Sequence, residues 1–359
     1  MDSKGAAQWS SILVPSVQEM VKEKMITTVS PRYVRSDQAK IEVTDGSCLK
    51  AEIPIIDMKR LSSSTSMDYS EVEKLDFACK EWGFFQLVNH GVDPSLLDKF
   101  KLEMQDFFNL PMEEKKKLWQ KPNELEGFGQ IFVVSEDQKL DWADLFFTVV
   151  QPVESRKPHL LPKLPLPFRD TLEKYSVEVQ SIAKILVANM ARALEVKPEE
   201  MEKFFNDVDS VQSMRMNYYP PCPQPDQVIG LTPHSDSVGL TILMQVNEVE
   251  GLQIKKDGKW VPVKPLPNAF IVNIGDILEI ITNGTYRSIE HRGVVNSEKE
   301  RLSIATFHSP GIYKEIGPAK SIVERQEVAN FKRLTMKEYK DGLFSRKLDG
   351  KAYLDALRI

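Results

Sequence analysis

The stretch Val211-Gln212-Ser213-Met214-Arg215-Met216-Asn217-Tyr218-Tyr219 alternates as a strand with two unlike faces. Successive side chains of a strand point to opposite sides, so Arg215, Asn217 and Tyr219 share one face and Met214, Met216 and Tyr218 the other. The apolar face belongs against a core, and the polar face lines a wet cavity. From about residue 207 onward the chain keeps this habit. Further strands are expected at 229–232, 240–245, 252–255, 260–263, 269–274, 288–295 and 301–307, with Asp257-Gly258 and Asn283-Gly284 as hairpin or turn signals. About eight short strands at this spacing form a double-sheet jelly roll of the cupin type.

Upstream the pattern is mixed. A short strand is expected at 53–57, a helix from Ser70 to about Trp82 stopped by Gly83, and a strand at 84–88. Asp93-Pro94 is a cap followed by a first-turn proline, opening a helix with Leu97, Phe100, Met104 and Phe107 on one stripe. Pro111 leads into another helix expected to carry Trp119. Pro-rich residues 158–167 form a linker, and Leu172, Tyr175, Val179, Ile182, Leu186 and Met190 mark a long helix over 168–196 that buttresses the sheet. The tail from Thr335 reads as a helix, a turn at Asp349-Gly350 and a last helical piece. With 359 residues, the chain exceeds the ~250–300 at which one core stops growing. One large catalytic unit with an N-terminal region packed on it is expected. Its regions are an arm (1–50), an N-terminal α/β region (51–157), a linker with the support helix (158–206), the jelly roll (207–312) and a helical tail (313–359). The fold class is mainly β with helical support, α+β.

The run Thr232-Pro233-His234-Ser235-Asp236 places two potential metal ligands on one side of an extended segment, and His291 offers a second imidazole. Two imidazoles and one carboxylate can occupy one face of an octahedral Fe(II) and leave three positions open, the arrangement of non-haem iron oxygenases. Arg301-Leu302-Ser303 repeats the one-residue spacing with a guanidinium and a hydroxyl, a fork suited to a carboxylate. Strand parity puts Phe307 on the Arg301 and Ser303 face and turns His308 away. Such a site describes an enzyme that binds an acid as co-substrate beside iron.

Composition narrows the class. The net charge of −5 gives no reason to expect nucleic acid. Lys115-Lys116-Lys117 follows two glutamates on a helix and reads as a solvated face. No signal peptide and no apolar run near ~20 residues is visible, so no membrane role is expected. Three widely spaced cysteines fit a reducing compartment, the cytoplasm. Cys222 is a small buried thiol before it is a soft ligand. His90 ends a strand at a turn and reads as structural, and His159 lies in the linker, exposed.

The chain resembles the plant 2-oxoglutarate- and Fe(II)-dependent dioxygenases from about Ile53 to its end, in particular the subgroup of the poppy alkaloid O-demethylases and a senescence-related dioxygenase of crucifers. The resemblance is carried by Ile53-Pro54-Ile55-Ile56-Asp57, Glu81-Trp82-Gly83-Phe84-Phe85, Val88-Asn89-His90-Gly91 and Asn217-Tyr218-Tyr219-Pro220-Pro221-Cys222-Pro223. His234-Ser235-Asp236, His291-Arg292 and Arg301-Leu302-Ser303 complete it. It implies a double-stranded β-helix, with Fe(II) held by His234, Asp236 and His291. It also implies 2-oxoglutarate gripped by Arg301, Ser303 and Tyr219, with Asn217 close by and ascorbate as reductant. The implied reaction consumes O2, turns 2-oxoglutarate into succinate and CO2, and hydroxylates, desaturates or O-demethylates a small hydrophobic metabolite. The implied state is a monomer. Leu145 and Phe147 would border the substrate opening or pack in the core, with Phe307 beside them. Arg215 would reach the substrate or form a structural salt bridge. Two alternatives stay open: an ascorbate-dependent oxidase of the ethylene-forming type, and a cupin-like binding protein without catalysis.

Overall fold

The computed structural model describes residues 11–22, 28–35, 52–62, 69–122, 124–131, 133, 135–205, 208–345 and 350–359. The strands of its two larger sheets are, in chain order, β1 (Ile55–Asp57), β2 (Phe84–Val88), β3 (Gly127–Gly129), β4 (Asp144–Gln151), β5 (Val211–Tyr219) and β6 (Leu231–His234). They continue as β7 (Leu240–Gln245), β8 (Leu252–Lys256), β9 (Lys259–Pro262), β10 (Phe270–Ile274), β11 (His291–Gly293) and β12 (Arg301–Ser309). An eight-stranded sheet runs β1-β2-β10-β7-β12-β5-β4-β3, and a four-stranded sheet runs β6-β11-β8-β9.

Alternation sorts the side chains of the major sheet. Met214, Met216, Leu302, Ile304, Ile242 and Val272 join a core with Phe100, Phe107, Leu172, Tyr175 and Leu186 of the helices Pro94–Asn109 and Leu166–Ala193. Each such side chain removed from water contributes roughly 1.5–3 kcal/mol. On the other side, Phe84 and Ile271 meet Leu252, Ile254 and Val261 of the minor sheet in a second core. The two sheets therefore close on each other as the expected jelly roll. β1 to β4 belong to the major sheet, so the N-terminal region is built into the barrel wall.

Local chemistry explains most element ends. Asp93 Oδ1 accepts from the Ser95 N–H at 2.8 Å, capping the helix that Pro94 opens. The helix Tyr69–Phe77 passes into a π-helical turn, Ala78–Trp82, and stops at Gly83 with φ +61°. There a Cβ would collide with the Arg287 carbonyl. Asp257-Gly258, both at positive φ, joins β8 to β9 as a tight hairpin. Asn283-Gly284 also adopts positive φ but ends a helix, so it is a turn and not a hairpin.

Several elements differ from expectation. Trp119 lies beyond the helix Met112–Lys116, because Leu118 and Gln120 pair with the backbone of Phe128 and draw the chain extended. Lys115 is not on a solvated face. It is fully buried, and its Nζ donates to Gln18 Oε1 at 2.7 Å, to the Phe108 carbonyl at 3.0 Å and to Glu19 Oε1 at 3.1 Å. The partners Gln18 and Glu19 come from the helix Val17–Lys22, 97 and 96 residues upstream. Lys116 and Lys117 do pair outward with Glu113 and Glu114. The helix Asp276–Ile281 was not expected from its isoleucine-rich sequence; all six residues are buried, and packing overrides propensity. Cys48 and Asp349 lie outside the described residues. Among the described residues, no helix is long and apolar enough to cross a membrane.

Candidate active site

The minor sheet pairs β6 with β11 so that His234 stands directly opposite His291. Their rings lie 4.4 Å apart, and Asp236, two residues past His234, turns toward both. Asp236 Oδ1 sits 3.4 Å from His234 Nε2 and 3.6 Å from His291 Nε2. The other nitrogen of each ring is occupied: His234 Nδ1 lies 2.8 Å from the Thr232 carbonyl and His291 Nδ1 3.1 Å from the Ile289 carbonyl. Carbonyls only accept, so each Nδ1 carries the proton and each Nε2 lone pair points inward, the tautomer a metal requires. Asp236 Oδ2 is committed as well, accepting from Thr241 Oγ1 at 2.6 Å and Asn273 Nδ2 at 2.7 Å. Among the described residues, this is the one group of three His, Cys, Asp or Glu side chains with ligand atoms within 4.8 Å of one another.

Electrostatics favour ligation. Burial pushes His291 down to about 4, against the pull of Asp236, so its imidazole is neutral at pH 7. Burial alone would raise Asp236, but His291, His234 and Thr241 outweigh it and hold the carboxyl far below the usual range. Two neutral imidazoles and one carboxylate are a donor set that fits Fe(II).

The carboxylate fork lies on the major sheet. β12 and β5 pair Arg301 with Tyr219, Ser303 with Asn217 and Ala305 with Arg215, so the two polar faces form one surface. Arg301 is 3% exposed, and its guanidinium stacks 5.1 Å from the Tyr219 ring centre and donates to Gln245 Oε1 at 2.9 Å. Its Nε has no partner, and among the described residues no carboxylate pairs with it. Burial lowers its basicity, partly offset by Tyr219. A buried cation left without an anion is costly, so the site is built for an acidic guest. Asn217 Nδ2 lies 3.4 Å from Ser303 Oγ. At Gly251 an added Cβ would strike the Arg301 side chain, and at Gly230 the Tyr219 ring, so both glycines keep the pocket open.

A cavity of about 420 Å³ opens beside His234 and Asp236. Phe147, Phe307 and Arg215 border it, the two phenyl rings 6.5 Å apart. Leu145 is buried opposite Asn217 on the same face of β4 but does not border this cavity, since it sits one pair nearer the Arg301 end of the sheet. Arg215 forms no salt bridge among the described residues, and its Nε donates to Asn217 Oδ1 at 2.7 Å. Other histidines stay apart. His90 contacts the Asn268 carbonyl at 3.0 Å, and His308 is buried on the helix-facing side of β12. His159 is half-buried against Glu124 at 3.2 Å, not exposed, because the linker folds back onto Glu124, which Lys157 also meets at 3.5 Å. Cys222 is a buried free thiol, pushed up to about 11 by burial. Sequence reasoning missed Thr241, Asn273 and Gln245; each is a polar residue at an inward position of an otherwise apolar strand, which is the signal that could have found them.

Comparisons with known proteins agree with this geometry. Residues 210–310 match the 2OG-Fe(II) oxygenase superfamily, and residues 53–164 match the non-haem dioxygenase in morphine synthesis N-terminal family. Protein SRG1 of Arabidopsis thaliana is 86% identical over the whole of both chains. Thebaine 6-O-demethylase of Papaver somniferum is 52% identical, covering 96% of each chain. The crystal structure of JOX2 in complex with 2OG, Fe and JA has a TM-score of 0.87 at 32% identity, covering 96% of this chain and 98% of that one. The chain therefore belongs to the 2OG-Fe(II) oxygenase superfamily and is a 2-oxoglutarate-dependent dioxygenase.

Proposed function

We propose that His234, Asp236 and His291 hold the Fe(II) of this dioxygenase and that Arg301, Ser303, Tyr219 and Asn217 hold 2-oxoglutarate. The observation that carries this reading is Arg301: a buried guanidinium with no acidic partner, on the same inner surface as three converging ligands. Bound together, iron and 2-oxoglutarate supply the oxidant for a substrate C–H bond, with succinate and CO2 as co-products. The protein's own residues do the placing. The Thr232 and Ile289 carbonyls fix the imidazole tautomers, Thr241 and Asn273 aim one oxygen of Asp236, and the Arg301 fork orients the co-substrate.

The main substrate is, in our reading, a small plant metabolite with an apolar body, accommodated between Phe147 and Phe307 with Arg215 in reach. Leu145 serves the co-substrate end of the sheet instead. O-demethylation is the favoured outcome, because relatives at 50–54% identity are named as demethylases of a flavonoid, of thebaine and of codeine. The jelly roll over 207–312 carries the chemistry, and 51–157 completes its major sheet. Action in the cytoplasm as a monomer is part of this reading, and the two described cysteines, free and buried, are compatible with a reducing compartment. The test is succinate release over a panel of methoxylated flavonoids and alkaloids with Fe(II), ascorbate and 2-oxoglutarate. A productive compound should yield formaldehyde in step with succinate. His234→Ala should abolish turnover, and Arg301→Ala should raise the 2-oxoglutarate KM at least tenfold, since a charged hydrogen bond is worth about 1.5–3 kcal/mol. Full activity in His234→Ala would end the reading.

A further inference from the structure

The cavity beside the candidate iron site has more cations than its own acids satisfy. Lys157 stands 3.5 Å from Glu124, which also takes His159. Lys351 donates to Glu279 at 2.9 Å. Of the remaining acids in the wall, Glu126 accepts from the Val149 N–H at 2.7 Å and from Thr148, and Asp276 accepts from Tyr339 at 3.1 Å. Asp236 belongs to the ligand cluster. Two cavity cations are left over, Arg215 on β5 and Lys340 on the helix Met336–Phe344.

Lys340 is the more telling of the two. It is half-buried in the cavity wall, and among the described residues it has no hydrogen-bonding or ionic partner. Burial alone lowers its ammonium below the ordinary lysine value, with no acid nearby to raise it again. A buried cation with no counter-charge in reach is destabilising unless something in the functional state compensates it. The 2-oxoglutarate fork does not, because it lies at Arg301.

We propose that Lys340, with Arg215, recognises an anionic oxygen on the main substrate, so that this enzyme selects apolar metabolites carrying a carboxylate or a phenolate and rejects protonated amines. This rests on the iron and co-substrate assignment above. Phe147, Phe307 and Leu343 take the apolar body of the substrate, and the two cations fix which end points away from them. Unpaired like charges in the wall also work against a cationic guest, which is how specificity is commonly enforced.

The test uses full-length protein loaded with Mn(II) and saturating 2-oxoglutarate, so that the Arg301 fork is filled and turnover is silent. Naphthalene-2-carboxylate, its methyl ester, the acidic phenol 7-hydroxycoumarin and 2-naphthylmethylamine are titrated at one mildly alkaline pH, where Lys340 is still cationic, and followed by fluorescence. The wild type should bind the carboxylate, or the ionised hydroxycoumarin, at least tenfold tighter than the ester, and the amine more weakly than the ester. Preference for the carboxylate assigns an acid substrate; preference for the phenolate alone assigns a phenol. Lys340→Met should bring that ratio near one while ester affinity stays within about twofold, and Lys340→Arg should restore it. Equal affinity for every anion and the ester in the wild type, or an unchanged ratio in Lys340→Met, overturns the proposal. Calorimetric titration of 2-oxoglutarate into the same Mn(II) protein separates the two readings. No 2-oxoglutarate binding defeats the co-substrate assignment, whereas normal binding without anion preference defeats the role of Lys340 alone.

Discussion

Asp236 offers two oxygens, and only one faces the histidines. The other is held by Thr241 and Asn273, both buried, so the carboxylate cannot rotate without breaking two short hydrogen bonds. Partners of this kind typically govern metal affinity by 10–100-fold. Asn273→Ala should therefore weaken Mn(II) binding at least tenfold in a calorimetric titration while the far-ultraviolet dichroism stays native; a change under twofold would remove Asn273 from that role. His308 makes a different prediction. It is buried with its Nε2 unpartnered, and burial depresses it to about 3 against an ordinary 6.5. Between those values the unfolded chain takes up a proton that the folded chain refuses, so acid favours unfolding. The stability is intact above pH 6.5 and is lost as pH falls, approaching about 1.4 kcal/mol per pH unit. Urea midpoints at pH 7.5 and 5 should show about 2 kcal/mol more acid loss in the wild type than in His308→Gln. Parallel pH dependence in the two proteins would contradict this.

The helix Val17–Lys22 has only six residues and cannot stand alone. Asp144, at the first position of β4, supplies what the short helix lacks: one oxygen accepts from the Val17 N–H, the other from Gln18 N–H and Ser16 Oγ, at 2.8–3.0 Å. Lys115 holds the same helix from the side. Asp144→Ala should cost about 1–3 kcal/mol of helix docking and make trypsin cut after Lys22 before the barrel unfolds; cleavage at the wild-type rate would show the cap to be dispensable. These contacts also mark where sequence reading stops. The ends of β5 and β7 fall where alternation predicts them, because period two is a local property of the chain. Arg301 and Ser303 were legible for the same reason, two positions apart on β12, and His234 and Asp236 by the same spacing, although β6 ends at His234 and Asp236 lies just past it. Lys115 was not, because its partners lie some hundred residues away, and neither was Lys340, whose significance depends on which acids fail to reach it. The isoleucine-rich helix Asp276–Ile281 was hidden by its own burial: with every face covered, it shows no amphipathic period.

At the scale of the whole molecule, the last segment of the chain closes the cavity that the jelly roll leaves open. Lys340, Leu343 and Leu354 contribute to the wall, and Gly350 bridges to the backbone of His234. The segment is clasped by Glu279, 2% exposed, which receives Lys351 Nζ at 2.9 Å and Arg358 at 2.6 Å. The same carboxylate accepts the Ser288 N–H at 2.6 Å, three residues before His291. One side chain thus ties the tail to the approach of a candidate metal ligand. The proposed 2-oxoglutarate fork, on β5 and β12, shares none of these contacts. Separating the two cations from Glu279 should therefore open the substrate side and spare the co-substrate side. In Lys351→Ala/Arg358→Ala, hydrogen exchange over 350–359 should accelerate at least tenfold. The naphthoate methyl ester should bind several-fold more weakly, because the apolar wall is no longer held shut. The affinity for 2-oxoglutarate in the Mn(II) protein should stay within twofold. If exchange in the tail is unchanged, the Glu279 clasp does not hold it. If 2-oxoglutarate binding falls with ester binding, the two halves of the site are coupled through β11 and not independent.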